Sequence, residues 1–140
     1  MPTAMQMFKR IQQFGLGFVI LVSLLLSACE NPEADNAAIN RISERYYSEL
    51  KAARSTTRSN VSNHLSKLAD IRFQLVDLEV GTACIGKKQS MLGAFKFAES
   101  SVTMLQYSFT PADSLELPLD MLKSKIDLDC PIFPKPEKQQ

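Results

Sequence analysis

The sequence is poor in the residues that most enzymes and nucleic-acid-binding proteins need. It has 140 residues, a single histidine, five glycines and a net charge of +1, from 16 Lys+Arg against 15 Asp+Glu. A lone histidine serves a catalytic triad or a zinc site poorly, and neither a Gly-x-Ser-x-Gly motif nor a glycine-rich phosphate loop is present. The balanced charge excludes a polybasic nucleic-acid binder, and the length excludes a large multidomain enzyme.

These absences lead to a set of negative predictions. We expect no enzymatic activity, no catalytic residue, no metal or other cofactor, no small-molecule substrate and no nucleic-acid partner. His64 lies between Asn63 and Leu65, and we interpret it as a partly exposed histidine at a helix edge. The alternative is that His64 acts as a pH sensor or a catalytic base.

The hydrophobic residues are concentrated near the N-terminus. Lys9 and Arg10 precede an apolar run of about 13 residues from Phe14 to Leu26, which is short for a membrane span of roughly 20. Small residues follow the run, and this order of basic, apolar and small residues is typical of a secretory signal peptide. We predict a signal peptide over residues 1–28, and its removal changes the net charge from +1 to −1.

The end of this segment, Leu26-Ser27-Ala28-Cys29, resembles the lipobox of bacterial lipoproteins. That resemblance implies cleavage before Cys29 by signal peptidase II and acyl chains, palmitate among them, that anchor Cys29 in a membrane. Glu30 stands where Asp retains many lipoproteins in the inner membrane, so the resemblance implies the periplasmic face of the outer membrane, with the inner membrane as the alternative. An ordinary secretory signal whose Cys29 forms a disulfide is the competing interpretation.

The remaining chain divides into three parts. Residues 29–36 are polar, contain a proline and show no apolar periodicity, so we expect a lipidated cysteine and an extended tether reaching about 25 Å. Residues 37–130 form the predicted folded periplasmic domain, and residues 131–140 a proline-rich flexible tail.

Two cysteines remain if Cys29 is acylated. In an oxidising compartment Cys84 and Cys130 allow only one pairing, so a structural disulfide between them is expected. A redox-active pair is the less favoured alternative, and a metal site would need ligands that the sequence does not offer at a suitable spacing.

The apolar periodicity predicts an all-α fold, a small helical hairpin or bundle stapled by one disulfide. Apolar residues recur at steps of three and four in three stretches, 39–53, 61–80 and 91–109, with a break at 54–60. Pro118 fits the first turn of a short last helix that runs through Ile126. The second and third stretches also alternate locally, which leaves an α+β fold with short strands near 71–80 and 102–109 as the alternative. Gly81 and Gly86 predict a turn with Cys84 at its tip.

One basic surface is predicted from a helical wheel. Lys51, Arg54 and Arg58 fall within about 60° of one another on a continuous helix, with Tyr47 on the same side. Such a face could bind lipid phosphates, a glycan or an acidic partner. The alternative is a solvated face without a ligand.

These features lead to a functional hypothesis: a non-enzymatic membrane-anchored lipoprotein that is an accessory, pilot or scaffold subunit of an envelope assembly, such as a secretion, pilus or conjugation apparatus. Its partners would be the membrane, through Cys29, and an envelope protein. The alternatives are an exclusion or immunity lipoprotein, an inhibitor of a cell-wall hydrolase, and a passive lipid- or lipopolysaccharide-binding protein.

Overall fold

The computed structural model describes residues 30–107 and 112–130, and these residues form four α-helices. The helices are α1 (Pro32–Ala53), α2 (Val61–Asp77), α3 (Thr82–Tyr107) and α4 (Glu116–Ile126), and short 3-10 helices at Arg58–Asn60 and Ala112–Leu115 precede α2 and α4. The predicted signal peptide, Cys29 and the predicted tail at 131–140 lie outside the described residues.

The four helices pack around one core. Helix α1 contacts α2, α3 and α4, and α3 contacts every other helix. The core holds the side chains that the periodicity places on one face of each helix, among them Ile39, Leu50, Leu68, Met91 and Leu122. The predicted all-α class is therefore confirmed, as is a bundle stapled by a disulfide between Cys84 and Cys130.

The alternative with strands is wrong for the described residues. Residues 71–77 belong to α2 and residues 102–107 to α3. Ile71 and Leu75 are buried one helical turn apart, while Phe73 between them is 54% exposed. Their alternation with polar residues is therefore incidental to a helix whose buried face has a period of 3.6.

Two predicted boundaries are wrong because helices begin earlier than the apolar pattern. Pro32 starts α1, followed by Glu33 and Asp35 in its first turn; proline and carboxylates are both favourable there. Residues 32–36 are thus helical rather than an extended tether. Similarly, the predicted turn at 81–86 is the first part of α3, and Cys84 lies in that helix rather than at the tip of a turn.

The break between α1 and α2 is confirmed. Helix α1 ends at Ala53, and hydrogen bonds between residues three apart, such as Arg54 N–H to the Lys51 carbonyl at 3.2 Å, tighten the chain after it. Residues 54–60 contain five weak helix formers, all Ser, Thr or Asn, and no apolar side chain to bury. The reversal of the chain at this point brings α2 back along α1.

Helix α3 contains two glycines at positions where the surrounding structure leaves room for a larger side chain. A Cβ atom added at Gly86 or Gly93 would meet no atom within 4 Å. Since glycine in a helix interior is about 1 kcal/mol less favourable than alanine, Gly93→Ala is expected to raise the free energy of unfolding by about 1 kcal/mol in denaturant titrations. The matched reverse change at an exposed position of α1, Ala37→Gly, should lower it by a similar amount. No gain from Gly93→Ala would contradict the solvent-facing position of Gly93.

A buried aromatic pair joins α1 to α3. The rings of Tyr46 and Phe95 stack with centroids 3.7 Å apart, and the Tyr46 hydroxyl donates to the Phe95 carbonyl at 2.8 Å. Glu99 lies 3.4 Å from the same hydroxyl and also pairs with Arg72 of α2 at 2.9 Å. Burial, and after it the negative charge of Glu99, raises the pKa of Tyr46 above its ordinary value of 10.0.

This shift predicts a pH-dependent effect of Tyr46→Phe. Near pH 8 the variant loses the bond to the Phe95 carbonyl, and we expect a loss of about 1 kcal/mol. The raised pKa means that the unfolded chain releases the Tyr46 proton first, so the contribution is full below pH 10.0 and is lost as the pH rises further. The difference between wild type and Tyr46→Phe in urea unfolding should therefore shrink above pH 10.0. A difference that stays constant with pH would contradict this.

Candidate functional site: the disulfide end of the bundle

The densest set of long-range polar contacts lies at one end of the bundle, which we call the disulfide end: Pro32, Gly81–Cys84 and Ile126–Cys130. Here α1 and α3 begin, and α2 and α4 end. The Cys84–Cys130 disulfide, with its Cα atoms 5.0 Å apart, joins the first turn of α3 to the residues after α4. The two cysteines are 46 residues apart in the sequence, so the disulfide fixes the segment after α4 to the first turn of α3.

A buried lysine lies one helical turn from the disulfide. The side chain of Lys87 is only 8% exposed. Its ammonium donates to the amide oxygens of Asn36 and Asn40, each at 2.7 Å, and to the carbonyls of Ile126 at 3.3 Å and Leu128 at 2.5 Å. Lys87 therefore binds α1 and also satisfies carbonyls at the C-terminal end of α4, where a cation interacts favourably with the helix dipole.

The charge of Lys87 is stabilised by its neighbours but opposed by its burial. Removal from water lowers the pKa of Lys87, and the carboxylates of Asp129 and Asp127 partly oppose that shift. The ammonium donates to four oxygens, more than its three N–H groups can serve ideally. Lys87 therefore joins α3 to α1 and to the C-terminal end of α4.

Further contacts hold the other chain segments at this end. Asp35 accepts from the Gly81 backbone N–H at 2.8 Å, and Asn36 donates to Asp129 at 3.2 Å. Lys88 donates to the carbonyls of Val76 and Leu78 at the end of α2, at 2.8 and 2.6 Å. The start of α1 is consequently fixed to both neighbouring chain segments from its first turn onward.

The predicted basic face is not one continuous surface. Helix α1 ends at Ala53, so Arg54 follows the helix and Arg58 lies in the separate 3-10 helix. Arg54 forms an ion pair with Glu116 at the start of α4. Tyr47 packs against the core, while Lys51 is exposed on the last turn of α1. The helical wheel aligns these residues only if one helix continues through residue 58. The helix ends at Ala53, so the prediction of a single basic face is wrong.

His64 occupies a structural position. Its Nδ1 lies 2.7 Å from Glu49 Oε1 across the contact between α2 and α1, and both side chains are mostly buried. Within residues 30–107 and 112–130, no group of three or more His, Cys, Asp and Glu residues could hold a metal ion. Over the same ranges, no helix combines the length and apolar character that crossing a membrane requires.

Sequence reasoning missed Lys87, although its position carried a signal. Cys84, Lys87, Met91, Ala94 and Ala98 follow one another at steps of three and four, which places Lys87 on the buried face. The predicted turn at 81–86 hid this pattern, because α3 was expected to begin only near Met91. The oxygens that satisfy Lys87 come from α1 and α4, and periodicity alone does not predict such long-range partners.

Comparison with known proteins adds no relative: no protein-family model, no curated protein and no solved structure matches the chain.

Proposed function

We propose that the protein is a non-enzymatic lipoprotein, anchored through Cys29 on the periplasmic face of the outer membrane, that presents its helical bundle to a protein partner. In this role it is an accessory, pilot or scaffold subunit of an envelope assembly such as a secretion, pilus or conjugation apparatus. The observation that carries the proposal is the Cys84–Cys130 disulfide. It uses two of the three cysteines and leaves the lipobox cysteine for acylation, and such disulfides persist in oxidising compartments.

The short connection between Cys29 and the bundle supports an anchoring role. Helix α1 begins at Pro32, three residues after Cys29, and a fully extended chain spans at most about 11 Å over that distance. An acylated Cys29 would therefore hold the folded domain close to the membrane surface. Lipid chains of this kind give stable anchoring when more than one is attached.

Exposed apolar side chains support a protein partner. Tyr107, 77% exposed, and Leu117, 61% exposed, lie near the end of the bundle opposite the disulfide end, which we call the far end: Ala53–Asn60, Tyr107 and Ala112–Leu115. The core cluster does not include these side chains, and a contiguous apolar patch left in water marks a protein–protein contact site. Helix α1, with 22 residues, is about 33 Å long, so the far end would reach well into the periplasm.

In this arrangement the basic residues lie far from the anchoring membrane. Lys51, Arg54 and Arg58 all lie at or next to the far end, about one helix length from Pro32. Charges at that distance are several Debye lengths from a surface at the other end of the bundle, so they contribute little to binding there. The passive lipid-binding alternative is therefore the weaker proposal.

Photo-crosslinking in living cells tests this proposal. A photoreactive phenylalanine derivative replaces Tyr107 in the full chain, or Phe73 as a control on the outer face of α2. We expect the Tyr107 variant to crosslink a component of a secretion, pilus or conjugation apparatus, and we expect Cys29→Ser to abolish the crosslink. The proposal fails if Tyr107 crosslinks no envelope protein and deletion of the gene leaves these assemblies unchanged.

A further inference from the structure

Leu128 is the most exposed large apolar side chain at the disulfide end, ahead of Ile85 in the first turn of α3, which is 42% exposed. Leu128 is 64% exposed, although it follows α4 in a segment that is firmly fixed. Its backbone carbonyl accepts from the buried ammonium of Lys87 at 2.5 Å, and Cys130, two residues later, is disulfide-bonded. Because the backbone is fixed, the Leu128 side chain cannot fold back onto the core. Leu128 is therefore held in an exposed position where it can contact another surface.

The chain leaves the bundle toward its predicted anchor at the same end. Pro32 and Glu33 of α1 line a common cleft with Asp129 and Cys130, directly next to Leu128 in the sequence. Cys29 precedes Pro32 by three residues, and an extended chain spans at most about 11 Å over that distance. The Cys29 sulfur, which would carry lipid, therefore lies within that distance of Pro32, plus the length of its own side chain. A membrane that holds Cys29 must therefore lie close to Leu128.

The charges around Leu128 do not attract an anionic surface. Three exposed carboxylates lie near Leu128, those of Glu33, Asp127 and Asp129. Two lysines line a cleft with Leu128: Lys87 is buried and donates to four protein oxygens, and Lys125 donates to Ser90 at the surface. The accessible charge is therefore negative on balance. Contact with a bilayer at this end would consequently depend on proximity and on the apolar side chain, and anionic lipids would weaken it at low ionic strength.

We propose that the disulfide end rests on the surface of the bilayer in which Cys29 is anchored, with the Leu128 side chain at the boundary between headgroups and acyl chains. This inference depends on the acylation in the proposed function. The bundle then stands on the membrane with the far end, and Leu117 near it, directed away from the bilayer. Apolar side chains of surface-bound proteins enter this boundary region by about 5–10 Å.

The absence of tryptophan from the chain allows a clean test. Leu128 and Leu117 are the same residue type with nearly equal exposure, 64% and 61%, and lie beyond or near opposite ends of α4. We introduce Leu128→Trp or Leu117→Trp into the acylated full chain and reconstitute each variant into phosphatidylcholine vesicles. Both positions are exposed, so we expect both variants to fold. The circular dichroism spectrum of each variant is the check on folding.

The readouts are the emission maximum and quenching by lipids with a nitroxide near the headgroup. We expect Leu128→Trp to emit at shorter wavelength and to be quenched, and Leu117→Trp to emit as in water without quenching. Adding phosphatidylglycerol should reduce the quenching of Leu128→Trp at low salt, and added salt should restore it.

Three results would overturn the inference. Equal quenching of the two variants, or quenching of Leu117→Trp alone, would mean that the bundle lies along or tilts onto the bilayer. An acylated, vesicle-bound Leu128→Trp variant without quenching overturns this inference and leaves the anchoring proposal standing. A chain that cells do not acylate at Cys29 overturns both, and mass spectrometry of the purified chain distinguishes that case before reconstitution.

Discussion

Replacing Cys84 and Cys130 together with serine is expected to lower the free energy of unfolding by about 4 kcal/mol, because the disulfide closes a loop spanning 46 residues. The loss arises mainly from the larger conformational freedom of the unfolded chain without the cross-link. The free energy of unfolding of a domain of this size is expected to be roughly 5–15 kcal/mol. Loss of the disulfide would therefore remove a large part of that stability.

Denaturant titration under non-reducing conditions measures this effect. Cys29→Ser is the matched control, because it removes a cysteine that takes no part in the disulfide and leaves the Cys84–Cys130 bond in place. We expect Cys29→Ser to change the unfolding midpoint little. A double cysteine variant as stable as the control would mean that the loop 84–130 is already held by other contacts and that the disulfide adds nothing.

The second large effect is expected at Lys87. Lys87→Met keeps much of the side-chain volume and removes the ammonium that donates to Asn36, Asn40 and the carbonyls of Ile126 and Leu128. Buried oxygens then lose their donor, and we expect a loss of about 3 kcal/mol, at the lower limit of the effect of breaking a buried charged interaction. Methionine fills the space with an apolar chain, which keeps the effect from being larger.

A lysine on the surface of α4 provides the control for Lys87→Met. Lys123 is exposed, so Lys123→Met should change the free energy of unfolding by no more than about 0.5 kcal/mol. Hydrogen exchange gives the spatial readout, since loss of the Lys87 contacts should weaken protection at the end of α4 and at the start of α1 first. Equal effects of the two substitutions would contradict the structural role of Lys87.

The sequence predicts the architecture better than it predicts the contacts within it. Periodicity identifies the helix class and the break at 54–60, and the preference of proline for a first helical turn predicts the position of Pro118 in α4. Each of these depends on residues close in the chain. The cysteine count predicts the disulfide, because two cysteines remain if Cys29 is acylated and two cysteines allow a single pairing. These properties follow from local chemistry and simple counting.

The errors have a common physical origin in tertiary contacts. Residues 32–36 lack apolar periodicity but are helical, with Asp35 and Asn36 bonded to distant segments. Arg58 leaves the predicted basic face because the chain turns at Ala53 to let α2 pack on α1. Lys87 is buried because oxygens from two other helices surround it. In each case the deciding partner lies more than thirty residues away or depends on where the chain reverses.

The most direct test of the account is the intact mass of the protein extracted from the membranes of its own cells, measured before and after reduction. We predict a chain that begins at Cys29, carries acyl chains on that residue and gains two hydrogens on reduction as the Cys84–Cys130 disulfide opens. A chain that retains residues 1–28, or one that begins at an unmodified Cys29, would contradict the account.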